Sequence, residues 1–533
     1  MKTALIAINA RYTHSSLALR YLEKYNAGFD ISVYEFSIND NIGGIYRKLL
    51  RCGADAYCFS CYIWNIELTL KIASALKLAA PECKIILGGP ESGYNAASLL
   101  KRYDFIDCIL KGEGEELLGR VLGSLERGEE IERFYAQEYP LDLSKIPMPY
   151  TEKDISDLSG KIIYFETSRG CPFGCSYCLS SAERGVRFFP MEYVKSGLGM
   201  FFRLGVPLVK FVDRTFNIDE DRAVEIVEYI VKNSTKTSVH FEIEAEIMTP
   251  RLIEALNAAP DGLFQLEIGI QTTNPDSLRA VNRKCDLERT RENILRLIKP
   301  GNIHVHLDLI AGLPFEDYES FRRSFNYAYS MRPDMLQFGF LKVLPGTEIA
   351  ETNGIRSADF PPYEVVSTDW IDARSLARLK ETEEALDLFY NGGAFKRTIE
   401  KLTDTDDPFG VFEELGGYLA KIRENGKIKR AELYNKLYEK YSDNIKNELI
   451  LDFLEFNRNI PLPPFAKREL SKDFKKKYTE ALKSEAFREK YDIGDDLSVL
   501  RFERVDGRVY MVDYSKPRVY EISKEFMAEQ HSD

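Results

Sequence analysis

A chain of 533 residues that is 44% hydrophobic and 12% aromatic carries enough apolar side chain for several cores, so two to four folded domains are expected. Its formal charge of −12, with Lys475, Lys476 and Lys477 as the one short basic block, does not indicate a nucleic-acid groove and favours a small-molecule or peptide substrate. No apolar run approaches the roughly 18 residues of a membrane span, and MKTALIAINARYTH lacks a small-residue cleavage site, so a cytoplasmic protein without membrane contact is expected.

The first 134 residues alternate short apolar runs (TALIAIN, ISVYEFS, AYCFSCY, KIILGG, FIDCILKG) with helical patterns such as NIGGIYRKLLRC and ELTLKIASALKLA. That alternation predicts an α/β fold, a doubly wound parallel sheet of Rossmann-like type, with ligands at the carboxyl ends of its strands. Two strand ends run into glycine clusters, Gly88-Gly89-Pro90-Glu91 and Gly112-Glu113-Gly114-Glu115. Glycine there either lets a ligand approach the backbone or simply makes a tight turn. Residues 135–158, rich in Pro and polar side chains, read as a linker.

Residues 159–365 hold a second series of strand patterns, IIYFETS, LVKFVD, SVHFEIEA, LFQLEIGIQ, HVHLDLIAGLP and LQFGFLKVLPG, most followed by helix, as in a partial or full β/α barrel. Asp213, Glu244, Gln271 and Asp308 are expected at or close to the carboxyl ends of those strands. Residues 366–533 read as a mainly helical domain ending in a β-hairpin around Asp506-Gly507.

Nine cysteines, an odd number, argue for reduced thiols rather than a disulfide framework. Cys171, Cys175 and Cys178 stand apart, spaced C-x₃-C-x₂-C within SRGCPFGCSYCLSS directly after a strand. Thiolates are natural ligands of iron–sulfur clusters, and the Gly and Pro between them suit a loop wrapped around metal. Three ligands for four irons leave one iron open. A structural zinc site would need a fourth ligand, but the next Cys is Cys285 and the nearest His is His240.

This spacing, with Tyr177 just before the third cysteine, resembles the radical S-adenosylmethionine (SAM) superfamily, and the resemblance extends over about residues 160–350. By that resemblance FVDRTFN offers Asp213 to the methionine amino group, LEIGIQTTN offers Gln271 to the ribose, and VNRK offers Arg283 to the methionine carboxylate. FEIEAEIMTP is similar to the third-strand segment, with Glu244 where the family commonly has a basic residue, and DLIAGLPFE, with Ile310 and Gly312, is similar to the segment that meets adenine through its backbone. A surface salt bridge or a strand-end cap is the alternative reading of each charged residue. The resemblance implies a 4Fe-4S cluster, SAM chelated at the open iron, a 5′-deoxyadenosyl radical, and an electron donor such as flavodoxin or ferredoxin.

Residues 1–134 resemble the cobalamin-binding domain that precedes many radical SAM domains, with GGPE and GEGEE as the matching segments. The chain lacks the D-x-H-x-x-G cobalt-ligating pattern: none of His14, His240, His304, His306 and His531 has Asp two positions before it. The resemblance thus implies cobalt without a protein His, unless His14 serves. It further implies cobalamin-dependent methyl transfer to an unactivated carbon or phosphorus. The alternatives are cobalamin-assisted oxidation or rearrangement, tRNA methylthiolation, and a cobalamin or redox sensor without turnover. Methylthiolation would need a second cysteine trio, and of Cys52, Cys58 and Cys61 two fall in the strand pattern AYCFSCY.

Overall fold

The run KTALIAIN forms a strand, β1 (Lys2–Asn9), whose six central residues are buried, as a central parallel strand covered on both faces requires. A computed structural model describes residues 1–524 apart from 183–184, 235, 425, 427, 467–471 and 517, so His531 lies outside the described residues. Around β1 lie β2 (Asp30–Ser37), β3 (Ala56–Ser60), β4 (Lys84–Gly88), β5 (Cys108–Lys111) and β6 (Phe134–Ala136), in the order β2-β1-β3-β4-β5-β6. Every neighbouring pair is parallel. One face packs Tyr57, Phe59, Ile85 and Leu87 against Ile45, Leu49, Ile72 and Leu76, and the other packs Leu5, Cys58, Ile86 and Leu110 against Leu19, Leu118 and Val121. The doubly wound sheet expected from the sequence is present. It gains β6, which the sequence reading placed at the start of the linker; three residues, two of them exposed, are too few to show a period.

The second sheet is built from β7 (Ile163–Phe165), the short antiparallel pair β8 (Ser168–Arg169) and β9 (Arg187–Phe188) set apart from it, and then β10 (Leu208–Phe211), β11 (Ser238–Ile243), β12 (Phe264–Gln271), β13 (His304–Ala311) and β14 (Met335–Phe340). Its order is β14-β13-β12-β11-β10-β7, all parallel, so β7 and β14 are free edges and the barrel is the partial form. Alternate residues of its strands point to opposite faces. The helix-covered face is aromatic: Phe211 lies 5.8 Å from Phe165 and 4.8 Å from Phe241 between ring centroids, and Phe241 lies 5.6 Å from Phe264.

Two compact units divide the chain, Met1–Leu376 and Ala377–Asp533, so both parallel sheets belong to one unit. The boundary expected at 365/366 falls instead inside an antiparallel pairing of Ile355–Ser357 with Val365–Thr368, which the first unit keeps.

The second unit is helical, as expected, and includes Lys396–Leu402, Pro408–Arg423, Arg430–Tyr441 and Lys446–Phe456. Its buried Asp452 accepts from the Thr398 N–H (2.9 Å) and hydroxyl (2.8 Å). The hairpin Leu500–Val505/Arg508–Asp513 turns at Asp506 and Gly507, both with positive φ (50° and 80°), and gains a third strand, Arg518–Glu521.

A Cβ on Gly416 would lie 2.6 Å from the Glu381 carbonyl carbon, so two helices touch backbone to backbone there. Gly416→Ala is expected to cost about 1–3 kcal/mol in urea unfolding. Gly417→Ala, with nothing within 4 Å, is expected to be neutral or to stabilise by up to about 1 kcal/mol.

Candidate active site

The three thiols lie on the loop between β8 and β9, and that loop is held from outside. Asp213, just past β10, is 1% exposed and accepts from the Thr167 N–H (2.9 Å) and from the Thr167 and Ser168 hydroxyls (2.6 Å each). Burial pushes its pKa up, against these hydrogen bonds. This corrects the assignment of Asp213 to a methionine ammonium: its carboxylate is enclosed and committed to the entry of the cysteine loop.

Beyond the entry, the Asn282 side-chain amide donates to the Gly174 carbonyl (2.9 Å) and the Ser176 N–H to the Val281 carbonyl (3.0 Å). The Cys178 N–H donates to the Cys175 carbonyl (3.0 Å), Cys171 Sγ lies 3.8 Å from Thr215 Oγ1, and Cys175 Sγ lies 3.9 Å from Arg283 Nη1. Among the described residues no three His, Cys, Asp or Glu side chains gather around one metal ion. Three thiols that each grip a different iron of a cluster need no such single point.

Arg283 and Glu244, read separately in the sequence, meet each other. Arg283 Nη2 donates to Glu244 Oε2 (2.7 Å) and to the Gly269 carbonyl (2.6 Å), while its Nε is buried without a partner. Burial raises the Glu244 pKa and Arg283 opposes the rise. Tyr177 packs here too; burial pushes its hydroxyl pKa well up, with the Arg283 charge countering. Gln271 ends β12 at a β-bulge with φ 69°, its amide folded over Gly269, where any Cβ would collide with it. Ile310 is half-buried near the end of β13. Gly312 follows with φ 86°, and a Cβ there would meet Val365 Cγ1 at 2.8 Å. Arg283, Glu244, Gln271 and Cys175 thus converge at the carboxyl end of the sheet.

Asp308 lies in β13, three residues before its end. It belongs to a charged inner face that the sequence reading missed. Lys210 Nζ and His240 Nε2 lie 3.2 and 3.1 Å from Glu267 Oε2, and His306 Nε2 lies 3.0 Å from Asp308 Oδ1. The His240 hydrogen bond, against burial, holds Glu267 at about 2. Burial works against the His306 imidazolium, but Asp308 raises its pKa. Burial lifts Glu242 to about 7, with Arg214 opposing and Glu267 adding. The signal was legible: polar residues recur at every second position of SVHFEIEA, LFQLEIGIQ and HVHLDLIAG.

The carboxyl-end loops of the first sheet meet the second domain. Ser15 Oγ donates to the Ile162 carbonyl (2.7 Å), and the rings of His14 and Tyr164 are 6.1 Å apart edge to face. Burial lowers the His14 pKa, which favours a neutral imidazole. Next to the β1/β3 switch point, where doubly wound sheets bind ligands, Tyr62 and Trp64 stack at 4.4 Å with Trp64 exposed. Gly88 has nothing within 4 Å of its Cβ position and leaves room for a ligand.

The other glycine-cluster residues are explained by protein neighbours. A Cβ on Gly89 (φ 95°) would lie 2.6 Å from the Cys61 carbonyl oxygen, one on Gly112 (φ 107°) 2.7 Å from the Gln137 side chain, and one on Gly114 3.1 Å from Leu22. Pro90 begins a short helix. Glu91 is buried and accepts from Asn95 and Tyr363. Glu113 and Glu115 pair with Arg169 at 2.9 and 2.6 Å. Each of these carboxylates is thus engaged by a protein partner. Cys58 and Cys61 pack on opposite faces of the first sheet, so they form no trio with Cys52.

Asp213→Ala would strand three buried donors and is expected to cost about 3–5 kcal/mol of stability. Asp213→Asn, which still accepts, is expected to recover part of it; denaturant unfolding and iron content after reconstitution check both.

Residues 3–122 match the B12 binding domain family, residues 165–328 the Radical SAM superfamily, and residues 351–497 a family described as a protein of unknown function (DUF4080). The cobalamin-dependent radical SAM methyltransferase TokK of Streptomyces tokunonensis is 26% identical over 303 residues, 50% of this chain and 44% of the relative. The 2-(S-pantetheinyl)-carbapenam-3-carboxylate methyltransferase of Streptantibioticus cattleyicolor is 28% identical over 300 residues, with the same 50% and 44% coverage. The chain thus spans about half the length of these curated relatives. The solved structure of the cobalamin-dependent S-adenosylmethionine radical enzyme OxsB with aqua-cobalamin and S-adenosylmethionine covers 93% of this chain and 82% of its own, with TM-score 0.58 and 16% identity, a likeness of fold. The two domain matches fall in order on the two parallel sheets: this chain carries a B12 binding domain on the first and a Radical SAM domain on the second, domains whose cofactors are cobalamin, a 4Fe-4S cluster and SAM.

Proposed function

We propose that this chain is an enzyme that transfers a methyl group, by way of cobalamin, to an unactivated carbon or phosphorus of a polar small-molecule or peptide substrate. The observation that supports it is the convergence of Cys175, Arg283, Glu244 and Gln271 at one end of an open sheet with a charged inner face, in the same compact unit as the B12-binding sheet. When bound, the cluster supplies the electron that cleaves SAM, and cobalamin supplies the methyl group.

The chain's own residues bind and orient. Cys171, Cys175 and Cys178 hold three irons of the cluster. Arg283, fixed by Glu244, pairs with a methionine carboxylate, for which a guanidinium fork is suited. Gln271 faces the ribose, and the Ile310–Gly312 backbone meets adenine. Gly88 with the Tyr62–Trp64 pair offers cobalamin a surface. Lys210, Glu242, Glu267 and His306 give the substrate a polar wall that disfavours a hydrocarbon. A flavodoxin or ferredoxin delivers the electron.

Protein reconstituted anaerobically with cluster and cobalamin, then given SAM and dithionite, is expected to release 5′-deoxyadenosine and S-adenosylhomocysteine. Cys171→Ala, Cys175→Ala and Cys178→Ala are each expected to lower 5′-deoxyadenosine release by about a hundredfold. Release of 5′-deoxyadenosine without S-adenosylhomocysteine would favour oxidation or rearrangement. Neither product from fully loaded protein would leave a cobalamin or redox sensor.

Glu242 gives a pH dependence with a defined sign. Its folded pKa of about 7 lies above the ordinary 4.5, so the folded state prefers the neutral acid and loses stability as pH rises from 4.5 to 7. Glu242→Gln is expected to match wild type near pH 4.5 and to exceed it at pH 8 by on the order of 1–3 kcal/mol in denaturant unfolding.

A further inference from the structure

The acidic pair Glu113 and Glu115 lies in a glycine-rich loop of the B12-binding domain, yet both carboxylates are spent on the stem of the cysteine loop. Arg169 Nη1 donates to Glu113 Oε1 (2.9 Å) and its Nη2 to Glu115 Oε1 (2.6 Å), while its Nε donates to Glu166 Oε1 (2.8 Å). Arg187 Nη2 donates to the same Glu113 Oε1 (2.8 Å), and Arg187 Nη1 donates to the Leu141 carbonyl (2.7 Å). Glu113 Oε2 accepts from Gln137 Nε2 (2.7 Å) and the Leu141 N–H (2.8 Å), which fixes the carboxylate from behind.

Arg169 and Arg187 are paired residues of β8 and β9, the two strands between which Cys171, Cys175 and Cys178 are carried. One oxygen of Glu113 therefore grips both sides of the loop's mouth. The Arg169 guanidinium also lies 5.2 Å from the Tyr21 ring and 5.8 Å from the Phe189 ring, so it is enclosed by aromatic surface as well as by charge. The side chains of Arg169, Glu113 and Glu115 are 13%, 8% and 5% exposed. Charge-assisted bonds of this length, shielded from water and salt, fix geometry far better than surface pairs do.

We infer that Glu113 and Glu115 are positioning residues of the cluster rather than cobalamin ligands: through Arg169 and Arg187 they set the cysteine loop in place against the B12-binding domain. Arg169 stands two residues before Cys171, so a shift of the stem moves the first thiol directly. The inference rests on the cluster reading of the three cysteines. A wild-type protein that fails to take up a cluster defeats that reading, and does so before any variant is compared.

The test uses the full chain reconstituted with iron, sulfide and cobalamin. Glu113→Gln keeps the size of the side chain and an oxygen acceptor but removes the charge that holds two guanidiniums. The cob(II)alamin bands in the ultraviolet–visible spectrum report cobalamin content. The electron paramagnetic resonance spectrum of the reduced cluster, titrated with SAM, reports the cluster's geometry. Expected are a cobalamin content equal to wild type, an altered cluster signal, and a SAM midpoint raised by roughly tenfold, the lower end of what changes in a supporting shell cost. Glu113→Asp, which restores the charge, is expected to return the signal toward wild type. Loss of cobalamin with an unchanged cluster signal would overturn the inference in favour of direct cobalamin contact, and an unchanged signal and midpoint with normal cobalamin would overturn it outright. If Glu113→Gln does not fold, Glu115→Gln removes only one partner of Arg169 and is read against the same two outcomes.

Discussion

A loop with three cysteines so close together has little apolar surface of its own, so it takes its shape from what surrounds it. The anchors here come from three directions. Asp213 receives the loop's entry through three buried hydrogen bonds, Asn282 and Val281 hold its middle through the Gly174 carbonyl and the Ser176 amide, and Glu113 grips its stem through two arginines. At Asp213 the donors and the acceptor are buried, so losing one partner strands the others. The position of the thiols depends on residues that never touch them.

The same logic organises the second sheet. One face is sealed by Phe165, Phe211, Phe241 and Phe264 under helices, and that burial leaves the other face free to carry charge. A parallel strand buried on both sides would be apolar throughout. Here the strict alternation of β12 and β13, buried and half-buried residues in turn, marks a sheet with an open inner side. Glu267, Asp308 and Glu242 share that side with Lys210, His240 and His306; the His240 hydrogen bond holds the Glu267 pKa at about 2, while burial lifts that of Glu242 to about 7. A surface of that kind can both hold a polar substrate and take or give a proton near neutral pH.

The glycine clusters of the first domain show how one motif can serve two ends. Gly89 and Gly112 have positive φ, and a Cβ on either would come within 2.6–2.7 Å of backbone or side-chain atoms, so the turns themselves demand glycine. Gly88 has open space instead. Glu113 and Glu115, which follow Gly112, pair with Arg169 of the second domain. This ties the two sheets into one unit through ionic bonds sheltered from solvent.

The sequence by itself determined the local patterns: β1 to β5 and the six main strands of the second sheet from their apolar runs, the hairpin at Asp506-Gly507 from its turn residues, and the cysteine loop from spacing alone. It did so because these features depend on neighbours within a few residues. The tertiary structure decided what each polar residue is for. Asp213, Glu113 and Glu115 carry the same carboxylate that a ligand contact would need, and only the arrival of Thr167, Ser168, Arg169 and Arg187 from elsewhere in the chain commits them to support. Arg283 and Glu244 are far apart in sequence and become one ion pair only when β11 lies beside β12. Whether the barrel closes was likewise decided by pairing at its edges, where β7 and β14 remain free.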